Sequence, residues 1–216
     1  YDVLEWKTKD CRNMTFDKRR QILDDLHDNF KNDISVFHLS ETMTFDNWEA
    51  VENERLKARE LRSEGLMIKR KASTYGVGRK KGDWWKYKSD PYSIDAVLTY
   101  AMRGHGRRSN LFTDYTFALW NDDKTGLVTF AKAYSGLTDK EFRQVDNWIK
   151  KHTTDRFGPV RQVEPELVFE IAFEGIAESK RHKSGVATRF PRILRWRQDK
   201  KIDDANSLDD LKALIP

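Results

Sequence analysis

Beyond Pro91 the apolar residues fall into short runs that alternate with polar residues, broken once by a helical stripe. The runs are Ile94–Met102, Thr116–Trp120, Leu127–Tyr134, Leu167–Phe173 and Ile193–Arg197. Each has the length and alternation of a strand rather than a helix. Between the third and fourth, Phe142, Val145, Trp148 and Ile149 recur at helical spacing behind Thr138, a natural N-cap. Five short strands with one helix after the third fit a five-stranded barrel of the OB type, although other small barrels would read similarly.

The first 90 residues have a different texture. Tyr1–Trp6 alternates as a strand, and Thr15 caps a polar helix with Phe16, Leu23, Leu26 and Phe30 on its apolar side. Val36–Leu39 reads as a short buried strand. Thr44 is expected to cap a second helix with Phe45, Trp48, Val51 and Leu56 facing inward. Gly65–Lys69 and Trp84–Lys88 are strands around a glycine-rich basic loop. The expected organisation is residues 1–90, a barrel over 91–200, and an acidic tail over 201–216.

The net charge of +5 hides two basic blocks: residues 61–90 hold nine basic and three acidic side chains, and residues 179–200 hold eight basic and one acidic. Separated basic blocks fit a polyphosphate or nucleic-acid partner. A solvated charged face fits equally well at this level. No apolar run approaches the ~18 residues of a membrane helix, and the N-terminus lacks a secretory pattern. One cysteine, Cys11, excludes an internal disulfide and a Cys-rich zinc site. The expectation is a soluble, reducing-compartment protein.

Residue order within the blocks carries more. Glu64-Gly65-Leu66-Met67-Ile68-Lys69 sets a carboxylate at the mouth of an apolar strand, where it could hold a hard cation beside a phosphate or simply face solvent. Lys86 and Lys88, two apart, project from one strand face with Trp85 and Tyr87 on the other. Two converging ammonium groups suit a phosphate, and equally the charged edge of an amphipathic strand. In Arg189-Phe190-Pro191-Arg192-Ile193-Leu194-Arg195-Trp196-Arg197-Gln198-Asp199-Lys200, alternation puts Ile193, Arg195 and Arg197 on one face and Leu194 and Trp196, inside a barrel, on the other. The arginines suit bidentate phosphate contact, for a nucleotide or a DNA backbone. Trp84 and Trp85 read as core.

Taken in order, these segments resemble the ATP-dependent DNA ligases of the covalent nucleotidyltransferase superfamily, closest to the bacterial type without zinc or helix-hairpin-helix modules. Glu64–Lys69 is similar to motif IV, Trp85–Lys88 to motif V and Arg189–Lys200 to motif VI. Tyr1-Asp2-Val3-Leu4-Glu5 is similar to motif IIIa, and Phe173–Ile176 with Ser179–Gly185 to the stretch before motif VI. The resemblance implies an α+β remnant of an adenylation domain followed by a five-stranded OB-fold barrel with one inserted helix. It implies nick sealing in duplex DNA through enzyme-AMP and DNA-adenylate intermediates, with ATP and Mg2+ or Mn2+ as cofactors.

It further implies catalytic roles for Glu64 (with the metal), Lys86 and Lys88. Tyr1, Lys69, Arg192, Arg197, Asp199 and Lys200 would bind the nucleotide. Arg107, Arg108, Arg181, His182, Lys183 and Arg189 would contact DNA, and His105 would touch it from a basic loop. The family's nucleophile is the lysine of a Lys-x-Asp-Gly motif, and no such tetrapeptide occurs in these 216 residues. The chain is therefore expected to be the C-terminal part of a ligase, monomeric, cytoplasmic and nucleoid-associated, and unable to self-adenylylate. The rivals are a non-catalytic OB-fold nucleic-acid-binding module and an RNA ligase or capping-enzyme relative.

Overall fold

The computed structural model describes residues 1–30, 37–61, 63–104, 106, 109–134 and 136–216. Val36, His105, Arg107 and Arg108 therefore lie outside the described residues. The chain divides into two units, Tyr1–Ser89 and Asp90–Pro216.

In the first unit a small hairpin, β1 (Glu5–Trp6) and β2 (Lys9–Asp10), precedes α1 (Phe16–Phe30). α2 (Trp48–Lys57) follows, and then a second hairpin of β3 (Gly65–Lys69) and β4 (Trp84–Lys88). Tyr1–Leu4, expected as strand, is outside β1, and Phe37–Leu39 form no strand. The cap of α2 is Asn47 rather than Thr44; its side chain accepts from the Ala50 amide at 2.9 Å. The inward face also differs from the expected one: Trp48 and Leu56 point to solvent while Arg55 and Ala58 face in. Gly65 enters β3 at φ +127°, and a Cβ there would lie 2.2 Å from the Tyr87 carbonyl oxygen. Only glycine lets the two strands approach so closely.

The second unit is a curved antiparallel sheet. Its strands are β5 (Tyr92–Arg103), β6 (Phe112–Trp120), β7 (Leu127–Ala133), β10 (Val168–Phe173) and β13 (Arg192–Trp196), paired in the order β13-β10-β5-β6-β7. α3 (Asp139–Lys151) follows the third of these strands, as in an OB fold. Thr138 caps it in a full capping box with Glu141, and its Val145 and Ile149 are fully buried. Gly136, at φ +118°, lets the chain run against β13, where a Cβ would meet the Ile193 carbonyl at 1.7 Å. A hairpin of β8 (Thr153–Phe157) and β9 (Val160–Val163) adds to the far end of β5. A further hairpin, β11 (Gly175–Glu178) with β12 (Val186–Arg189), leads into β13. Residues 201–216 pack onto this unit: Leu208 and Leu211 of α4 (Leu208–Lys212) join the core, which is centred on Leu98, Phe117, Ile149 and Phe169.

β13 departs from the expected alternation. Its register against β10 shifts so that Ile193 pairs with Ile171 and Arg195 with Glu170, leaving Leu194 as an extra residue. The bulge turns Leu194 outward at 49% exposure and puts Ile193 and Trp196 on the inner side. Arg195 therefore does not share the face of Ile193.

Candidate functional site

Strand register sets the first group. In the β3–β4 hairpin Gly65 faces Lys88, Met67 faces Lys86 and Lys69 faces Trp84. Facing residues share a side, so Lys69, Lys86 and Lys88 project together. Tyr87 lies opposite, as alternation requires, while Trp85 is 44% exposed and not core. Glu64 sits just before the strand, its carboxylate 3.9 Å from the Lys88 ammonium.

Lys69 is caged. Its ammonium lies 4.2, 4.6 and 4.9 Å from the ring centroids of Trp84, Phe16 and Tyr1. Burial pushes its pKa below the ordinary lysine value, partly opposed by Asp2. Tyr1 itself is 68% exposed, which leaves a ring face for a ligand.

Three residues that sequence reasoning missed hold this face from behind. Arg19 is fully buried in α1 and grips Asp2 with two nitrogens, at 2.8 and 3.0 Å. It also donates to the Met14 carbonyl at 2.5 Å and the Ser73 carbonyl at 3.2 Å, tying the Tyr1 segment to α1 and the β3–β4 loop. Breaking a buried pair strands a charge in a dry site. Arg19→Met should therefore lower the chain's unfolding free energy by about 3–5 kcal/mol in urea titrations. On α2, Arg55 donates to the Lys88 carbonyl at 2.8 Å and to Glu52 at 2.9 Å, while the Tyr87 hydroxyl donates to Glu52. Glu52 is consequently held down to about 2, first by Arg55 and then by Tyr87.

In the second unit, Arg192 pairs with Glu174 at 2.9 Å and Arg195 with Glu170 at 2.6 Å. Arg197 makes a two-nitrogen contact with Asp199, at 3.0 and 2.8 Å. That bond pushes the Arg197 guanidinium above its ordinary value and pulls Asp199 down to about 2. Arg181, His182 and Lys183 form the β11–β12 turn, which the Ser179 hydroxyl holds at 2.8 Å from His182 Nδ1. With Lys132, Thr116, Thr129 and Thr188 they line an open groove of about 510 Å³. Arg189 lies over the exposed Phe190 ring at 5.1 Å.

Residues 1–88 match the family model described as ATP dependent DNA ligase domain, and residues 108–200 match the one described as ATP dependent DNA ligase C terminal region. The chain belongs to the ATP-dependent DNA ligase family. A probable DNA ligase of Koribacter versatilis is 46% identical over 152 residues, which is 70% of this chain and 26% of that protein. A DNA ligase of Methanococcus aeolicus is 32% identical over 207 residues, 96% of this chain and 36% of that protein. The chain thus spans about a quarter to a third of the length of these ligases. A solved Lig E DNA ligase superposes with a TM-score of 0.61 at 21% identity, covering 91% of this chain and 61% of that one, a likeness of fold. The two candidate groups above, one hairpin face and one barrel strand with its flanks, fall within these matched residues. Among the described residues no helix is long and apolar enough to cross a membrane.

Proposed function

We propose that this chain supplies the phosphate-handling and DNA-handling parts of an enzyme that seals nicks in duplex DNA with ATP. The observation that carries the reading is the β3–β4 face, where Tyr1, Lys69, Lys86, Lys88 and Glu64 come from segments far apart in sequence. An aromatic face for a base, ammonium groups for phosphate and one hard oxygen donor are what adenylate transfer needs. Phosphoryl and nucleotidyl transfer depend chiefly on positioning and on neutralising charge.

Tyr1 would pack on adenine, and Lys86 with Lys88 would take up charge on the transferred phosphate. Glu64 fits Mg2+ or Mn2+, because magnesium keeps most of its waters and takes one or two carboxylates beside substrate phosphates. When bound, the cation neutralises developing charge on those phosphates. Arg192, Arg197, Asp199 and Lys200 would serve enzyme adenylylation, and Arg181, His182, Lys183 and Arg189 would contact the DNA backbone, joined by Arg107 and Arg108. The nucleophilic lysine would come from the rest of the protein.

The test uses labelled ATP. With magnesium, the 216-residue chain alone should form no covalent adduct at any incubation time, because it holds no Lys-x-Asp-Gly. The complete protein should form an acid-labile lysine-AMP and seal a nicked DNA duplex. An adduct on the chain alone would mean that another lysine is the nucleophile. Preference for a nicked RNA duplex would move the activity to the RNA ligases.

A further inference from the structure

Asp95 has no role in any of the matched motifs, yet it lies beneath two of their cations. It sits on β5 opposite Glu170 of β10 and is 7% exposed. Facing carboxylates on neighbouring strands repel. The sheet tolerates this pair because each is matched separately: Glu170 by Arg195, Asp95 by Arg197 and Lys200. Arg197 Nη1 reaches the two Asp95 oxygens at 3.2 and 2.9 Å, and the Lys200 ammonium reaches Oδ2 at 2.7 Å. Asn206 fixes the Asp95 backbone on both sides, accepting from its amide at 2.9 Å and donating to its carbonyl at 3.0 Å. Flanked by Ile94, Ala96 and Val97, all buried, this carboxylate has little freedom to move.

Arg197 and Lys200 follow the end of β13 and bracket a turn: the Arg197 amide donates to the Val168 carbonyl at 2.9 Å, and the Lys200 amide to the Arg197 carbonyl at 3.1 Å. We infer that Asp95 is a positioning residue for enzyme adenylylation, setting Arg197 and Lys200 as a fixed pair of cations for the pyrophosphate end of ATP. The inference rests on the function proposed above. In that step a lysine amine attacks the α-phosphorus of ATP and forms the N–P bond. The bond to the bridging oxygen breaks, the amine's proton leaves to solvent, and pyrophosphate departs with the electron pair. Adjacent cations repel, and a buried anion between them holds their spacing before substrate arrives. Beyond their bonds to Asp95 and Asp199, Arg197 Nη2 and the Lys200 ammonium retain donors for phosphate oxygens.

The experiment compares two reactions of the complete protein: lysine-AMP formation from ATP, and sealing of a pre-adenylated nick, which bypasses ATP. Asp95→Asn should slow the first roughly a hundredfold, the size that misplacing a group by about 1 Å costs. It should seal the pre-adenylated nick at close to the unsubstituted rate. Asp95→Glu, which keeps the charge but moves it by one methylene, should recover part of the first rate. An equal loss in both reactions would show a merely structural role and overturn the inference, as would no loss in either. If Asp95→Asn does not fold, Asp95→Glu decides alone: an unchanged adenylylation rate there overturns the inference. Should the unsubstituted protein itself form no lysine-AMP, the proposed function fails, and the Asp95 geometry is not what failed.

Discussion

Glu64→Ala in the complete enzyme should cut nick sealing by about 10²–10³, the scale of removing one preorganised electrostatic group from a transfer site. The same substitution should leave the melting temperature of the 216-residue chain nearly unchanged. The reason lies in the exposure of its neighbourhood: the Glu64 and Lys88 side chains are 37% and 42% exposed, and their oxygen and nitrogen stand 3.9 Å apart. An ion pair so open contributes about 0–1 kcal/mol. Stability and activity therefore separate at this position, unlike at Gly65 beside it, where any side chain strikes the β4 backbone. Sealing assays at several magnesium and manganese concentrations, run beside thermal melts, make the comparison. A stability loss that tracks the activity loss would make Glu64 a structural turn residue.

How much of this was legible depended on whether the determining contact was local. The α3 stripe and its cap were readable because Thr138 and Glu141 are three residues apart and settle the matter between themselves. Lys86 and Lys88 were placed on one face because strand alternation needs no partner. Leu194 was misjudged because a bulge is a property of two strands, and only the pairing of β13 with β10 reveals the shift. The β8–β9 hairpin went unseen, since most of its residues are polar and its place is set by pairing with β5.

Arg19 is the instructive case at the candidate site. In a helix as polar as Phe16–Phe30, a charged residue reads as solvent-facing, yet Arg19 is the largest fully buried side chain of the chain's described residues. Its partner Asp2 lies 17 residues away. Asp95 is harder still, being separated from Arg197 by 102 residues. The Glu52–Arg55 pair did leave a trace, an opposite-charge pair at i, i+3, but nothing local says that both reach across to β4.

Binding of duplex DNA by the chain alone should weaken steeply with salt, and the structure narrows which cations are responsible. Arg192, Arg195, Arg197 and Lys200 each contact a carboxylate of their own unit, so they are poor candidates for counterion release. The groove cations Lys132, Arg181 and Lys183 remain as contacts to phosphate, with Arg107, Arg108 and Arg189 proposed beside them from the sequence. If they neutralise roughly four to six phosphates, log affinity should fall against log salt with a slope near −4 to −5, from about −0.9 per phosphate. Between 50 and 200 mM salt the affinity should then drop by about 10²–10³. Fluorescence anisotropy of a labelled duplex over that range gives the slope. Arg181→Ala with Lys183→Ala should flatten it by about 2 and lower affinity for all sequences alike, because phosphate contacts carry no base information. Arg195→Ala should leave the slope unchanged, since Glu170 already neutralises that guanidinium. A slope that responds to Arg195 and not to the turn would place the DNA on the outer face of β13 instead of in the groove.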